Sequence, residues 1–215
     1  MNLETVYKVY IIESPSADDL MKGITEGQAL TKILELSNIQ YEYFLVTTKE
    51  VFEKALVYIK EDVLELQEEK IFVWPIIHIS CHGNEECIGL TNNEFINWST
   101  LEKYLSIVNV CFEEADPVSP IILSMSSCCG LNAIKSDWVK NHESSPFSFV
   151  LGHENEIPWD DALIAFSVFY HNFINKELDP LTTLKCMNDS INSENYFKLF
   201  SSTDCYKILS GDENL

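Results

Sequence analysis

Two apolar runs constrain this chain more than anything else in it: Ile71 to Ser80, and Ile121 to Ser124. Neither alternates apolar with polar residues. Each therefore reads as a strand covered on both faces, the pattern of a largely parallel sheet held between layers of helices. Both runs also stop abruptly at a reactive side chain and a glycine. The first ends in Ser80-Cys81-His82-Gly83 and the second in Met125-Ser126-Ser127-Cys128-Cys129-Gly130. Parallel strands present their chemistry at the carboxyl edge of the sheet. If these two strands are neighbours, the spacing of about 5 Å between strands brings His82 and Cys128 into adjoining loops.

The rest of the sequence fills in the same architecture. Tyr7 to Ile12 is β-rich and is broken by Ser14-Pro15-Ser16. Ser16 with Asp19 three residues on forms a capping box, and Leu20, Ile24, Leu30, Ile33 and Leu34 recur at helical spacing up to Asn38. Tyr41 to Thr47 reads as a second strand, followed by a helix marked by Val51, Phe52, Leu56, Ile59 and Val63 that dissolves into Glu65 to Glu69. After a polar stretch at Asn84 to Glu86, Trp98 to Val108 reads as a helix and Ser148 to Gly152 as a fifth strand. Pro158 and Pro180 mark first helical turns, the latter capped by Asp179. Two closing helices carry Ala162, Phe166, Phe169 and Phe173, then Leu181, Leu184 and Ile191. Strands separated by helices imply an α/β fold, a three-layer sandwich around a mostly parallel sheet of about five or six strands. With no repeat, linker or low-complexity tract, the 215 residues are expected to form one domain, disorder being confined at most to residues 211–215.

Charge and cysteines exclude several roles. Fourteen basic against 34 acidic residues give a net charge of −20, which repels phosphate backbones and anionic lipid surfaces. Nucleic acid and membranes are not expected partners; a protein substrate and a regulatory protein partner, the latter basic, are. Seven cysteines are an odd and sparse set for a disulfide framework, and they read as cytosolic thiols. No basic region followed by an apolar run opens the chain, and no segment offers 18 uninterrupted apolar residues, so a cytoplasmic location is expected.

A thiol attacks carbonyls as the thiolate, so a cysteine hydrolase needs an imidazole to take the proton and backbone donors for the oxyanion. His82 is the candidate base and Cys128 the candidate nucleophile, with the Gly83 and Cys128 amides as oxyanion donors. Each has a duller reading: a cysteine at a strand end is by default a small buried hydrophobe. His78, inside the apolar run, reads as a satisfied core residue, and Cys81 packs beneath His82. Metal is a rival use of Cys81, His82, Cys87, Cys128 and Cys129, but their spacing does not aim four ligands at one point. A dithiol at Cys128 and Cys129 is disfavoured by strain. No glycine-rich phosphate cradle occurs. Neither a metal nor any other cofactor is expected.

A strand ending in His82-Gly83, a later strand ending in Cys128-Cys129-Gly130, and the repeated strand-helix order together resemble the caspase-like cysteine peptidases. The surroundings of Ser80 to Gly83, the Leu123-Ser124 approach to the second motif and the Val150-Leu151-Gly152 strand leading to Phe169-Tyr170 look most similar to the CHAT-type and separase-like branch. The resemblance spans residues 7 to 190. It implies a caspase-like fold and a cysteine endopeptidase acting through an acyl-thioester, or else an inactive relative serving as an interaction module. Relatives differ in the spacing between nucleophile and glycine, so Cys129 and Ser127 stand as alternatives to Cys128. The resemblance also implies that the loop after the fifth strand helps form the specificity pocket. Glu154, Glu156, Asp160 and Asp161 lie there and favour a basic substrate side chain; their rival role is as solvated charges at the start of a helix. Trp98, Trp138 and Trp159 serve either the core or the walls of a cleft.

Overall fold

The computed structural model describes residues 4–112, 119–135 and 145–210. Its elements run β1 (Glu4–Ser14), α1 (Ala17–Lys22), α2 (Glu26–Leu36), β2 (Tyr41–Leu45), α3 (Lys49–Glu68), β3 (Ile71–Gly83), β4 (Cys87–Gly89), β5 (Phe95–Asn97), α4 (Trp98–Asn109), β6 (Ile122–Ser126), β7 (Phe149–His153), α5 (Trp159–Tyr170), α6 (Pro180–Asp189), β8 (Phe197–Ser201) and α7 (Ser202–Ser210). Trp138 and the tail at 211–215 lie outside the described residues.

Among the described residues, eight strands form one mixed sheet in the order β2-β1-β3-β6-β7-β8, with β4 and β5 as a small hairpin off the end of β3. The pairs along the main path are parallel except β7 with β8. The fold is a three-layer α/β sandwich. One apolar cluster joins the sheet to α3 and α4 through Phe52, Leu56, Ile59, Leu101 and Leu105. A second joins the other face to α2, α5 and α6 through Leu30, Leu34, Phe166, Phe169 and Met187. β3 sits centrally, with Val73, Ile77 and Ile79 in the first cluster and Ile76 in the second. This two-sided burial is why its sequence shows no alternation. Each such fully buried aliphatic side chain contributes about 1.5–3 kcal/mol relative to exposure. No helix among the described residues is long and apolar enough to cross a membrane.

Several local expectations change. The helix read from Ser16 to Asn38 is two helices, because Gly23 takes a left-handed φ of 70° and ends α1. α3 continues through Glu65 to Glu68, whose residue types favour helix even without a strong apolar stripe. β3 runs past Ser80 to Gly83, because His82 and Gly83 pair with Gly89 and Ile88. The hairpin strands β4 and β5 are three residues each, too short for periodicity to reveal. β8 and α7 went unread as well. Pro158 stands as the capping residue of α5, whereas Pro180 opens α6 with Asp179 accepting from the Leu181 and Thr182 amides. On α6, Leu181 faces solvent, and Thr183, Met187 and Asn188 are buried instead.

Candidate active site

The sheet face that packs against α2 and α5 becomes polar toward its carboxyl edge. In register across β1, β3 and β6, the row Val9, Ile76 and Ile122 gives way to Ile11, His78 and Ser124, then to Glu13, Ser80 and Ser126. His82 and Cys128 each stand two residues beyond the paired Ser80 and Ser126, so they occupy matching places on neighbouring strand ends. Both line a cavity of about 460 Å³, together with Cys81, Ser126, Ser127, Glu156, Ile157, Pro158 and Trp159. No hydrogen bond joins His82 to Cys128; substrate-free catalytic pairs are often loose in this way.

His82 is held from two sides. Its Nε2 lies 2.7 Å from Asp19 Oδ2, and its ring packs edge-on against Trp159 with centroids 5.3 Å apart. Half of its side chain remains exposed. Asp19 was read from sequence only as a capping-box residue. The Ser16 hydroxyl does accept from the Asp19 amide at 3.1 Å, but it also donates to Asp19 Oδ2 at 2.6 Å, and that carboxylate oxygen turns to His82. These bonds, first from Ser16 and then from His82, hold the Asp19 carboxyl below its ordinary range.

The second motif forms a tight turn after β6. The Gly130 amide donates to the Ser127 carbonyl, and Cys129 takes a left-handed φ of 58°, uncommon for a residue with a side chain. Gly130 is required here because a Cβ would come within 2.7 Å of Met125 Cβ. The Cys129 amide donates to Asn155, tying the turn to the loop after β7, while the Cys128 amide has no hydrogen-bond partner among the described residues. Gly83 is equally constrained: a Cβ there would overlap the Cys128 carbonyl oxygen. The Asn84 amide bonds back to Cys87 across the β3–β4 hairpin. By the alternation of antiparallel ladders, the Gly83 amide points away from β4.

The competing thiols and hydroxyl separate by environment. Burial pushes the Cys81 thiol far up and leaves it inert in the core. Burial also raises Cys129, which does not line the cavity. Ser127 lines it, but its hydroxyl is buried without a hydrogen-bond partner among the described residues. Cys128 is the thiol that both borders the cavity and is partly exposed.

Of the four acidic residues, Glu156 alone borders the cavity. Glu154 is exposed and paired with Lys198 at 2.8 Å, and Asp160 and Asp161 occupy the first turn of α5. Trp159 is a cavity wall, whereas Trp98 is core, its indole donating to the Asn84 carbonyl. His78 is buried, with Nδ1 2.8 Å from Tyr170 and Nε2 3.4 Å from Glu26. Among the described residues, no three His, Cys, Asp or Glu side chains converge as metal ligands. The contribution of Asp19 was missed in sequence, and Trp159 was read there as core or cleft wall without its contact with His82. Only the Ser16-Asp19 capping signature marked the former, and nothing linked it to His82. No protein-family model matches the chain, and no curated protein does.

Proposed function

We propose that this protein is a cysteine endopeptidase of the caspase-like type, cleaving a protein substrate through Cys128 and His82. One observation carries the reading: a partly exposed thiol and an imidazole stand at matching positions on adjoining parallel strand ends and share one cavity. Cys128 gives its proton to His82 and its sulfur bonds to the substrate carbonyl carbon. The Gly83 and Cys128 amides stabilise the oxyanion. The C–N bond then breaks, His82 protonates the leaving amine, and a water deprotonated by His82 hydrolyses the thioester to free acid and thiol. No cofactor enters this sequence. Recognition of a basic side chain next to the scissile bond rests on Glu156, whose exposure limits its contribution to about 0–1 kcal/mol.

The test is labelling with an activated peptide electrophile followed by peptide mapping, beside turnover in the isolated chain and in complexes assembled with cellular proteins. Adduct on Cys128 and turnover abolished by Cys128→Ala support the enzyme; adduct on Cys129 moves the nucleophile. A second reading, a catalytically silent interaction module, is favoured by the missing hydrogen bond between His82 and Cys128. Undiminished cellular function in Cys128→Ala supports that module.

A further inference from the structure

We propose that Asp19 is the positioning residue of this site, fixing His82 so that Nδ1 is the nitrogen that exchanges the Cys128 proton. The proposal rests on the peptidase reading. A carboxylate oxygen that already takes the Ser16 hydroxyl at 2.6 Å and lies 2.7 Å from His82 Nε2 can only accept. Asp19 is held below its ordinary carboxylate range, so it is ionised near neutrality. Nε2 must then carry the hydrogen, and the neutral ring keeps its lone pair on Nδ1. When the thiol proton arrives, the ring becomes imidazolium with Asp19 already against it, a charge-assisted contact that strengthens as the reaction proceeds. Trp159 packs edge-on against the ring and limits its rotation. Ser16 orients the carboxylate while capping α1, so the first turn of α1 delivers a third group to a site whose other two come from β3 and the turn after β6.

Asp18 is the internal control. It carries the same charge one residue away, in the same first turn, and is exposed. The experiment measures kcat and KM on a cleaved peptide, and separately the pH dependence of Cys128 alkylation by iodoacetamide, read by mass spectrometry, in Asp19→Asn, Asp19→Ala, Asp19→Glu and Asp18→Asn. Loss of Asp19 is expected to lower kcat about 10–100-fold with KM within about threefold, and to move the alkylation midpoint upward by about one pH unit. Asp19→Glu restores most of kcat, and Asp18→Asn behaves as wild type. Equal effects from Asp18→Asn and Asp19→Asn overturn the proposal, because they reduce it to net charge. Unchanged kcat and alkylation in Asp19→Ala overturn it outright. If wild type cleaves nothing in any assembled form, the peptidase reading fails, and the alkylation profile alone decides whether Asp19 acts on Cys128 through His82. Should Asp19→Ala not fold, as judged by its melting curve, the Asn and Glu variants carry the same comparison.

Discussion

His78 and His82 lie four residues apart on β3, face the same side of the sheet, and each sets a ring nitrogen beside a carboxylate. Around His78 everything is sealed: Tyr170 holds one nitrogen, Glu26 approaches the other at 3.4 Å, and Phe166 packs against the ring. Around His82 the carboxylate is closer, at 2.7 Å, but half of the side chain is exposed and the ring borders a cavity with a thiol on its wall. The same pair of functional groups is thus a structural tie two pleat repeats inside the sheet and a chemical candidate at its rim. What separates them is access, since a buried polar network rigidifies only while every partner stays in place.

The largest expected effect breaks the comparison at the rim. His82→Ala should reduce turnover of a cleaved peptide about 10³-fold or more while leaving the urea midpoint nearly unchanged, because an exposed side chain contributes little to packing. The opposite pattern belongs to His78. His78→Ala should destabilise the fold by about 3–5 kcal/mol in urea titrations, since it strands the Tyr170 hydroxyl and the Glu26 carboxyl in the interior. If His78→Ala folds with wild-type stability, the interior network is not a structural tie.

His153 sharpens the comparison as a third imidazole, sealed at the end of β7 with no side chain among the described residues hydrogen-bonded to its ring. It stacks on Tyr196 and meets Phe197 edge-on. Burial pushes its pKa down to about 4, below the ordinary 6.5, against a smaller upward pull from the Asn155 backbone. The unfolded chain therefore takes up this proton first. Stability present above pH 6.5 is lost as the pH falls toward 4, by about 3 kcal/mol at most from this group. Unfolding titrations of His153→Phe should lack that loss across the window; identical slopes in both proteins would remove His153 as its cause.

The smallest effects concern the acidic residues. Glu156→Gln should lower the preference for Arg over an uncharged residue in a positional peptide library by less than about fivefold, as befits an exposed charge. Glu154→Gln should change nothing measurable there, because its carboxylate is engaged with Lys198 away from the cavity. A strong preference for Asp in the wild-type library would remove the basic-substrate idea altogether.

Much of this was legible in the chain. The unbroken apolar runs announced strands covered on both sides, and the adjacency of the runs holding His78 and Leu123 is realised in the pairing of Ile77 with Leu123 and His78 with Ser124. The reading of His78 as a satisfied core residue also agrees with its surroundings. What escaped was either short or long-range. β4 and β5 hold too few residues for any period, and Gly23 breaks a helix whose apolar spacing continues across it. Leu181 was read as inward because spacing describes a face without saying what covers it.

The sequence by itself determined the sandwich class, the two-sided burial of β3 and the arrival of His82-Gly83 and Cys128 at strand ends, because periodicity and chain breakers are local properties of consecutive residues. Only the tertiary structure decided that Asp19 reaches His82 across 63 positions, that Trp159 limits the ring, and that Glu156 rather than Glu154 borders the cavity. Those outcomes depend on strand order and on the paths of loops between elements. Which charge is buried and which side chains meet are consequences of that packing, and no local pattern encodes them.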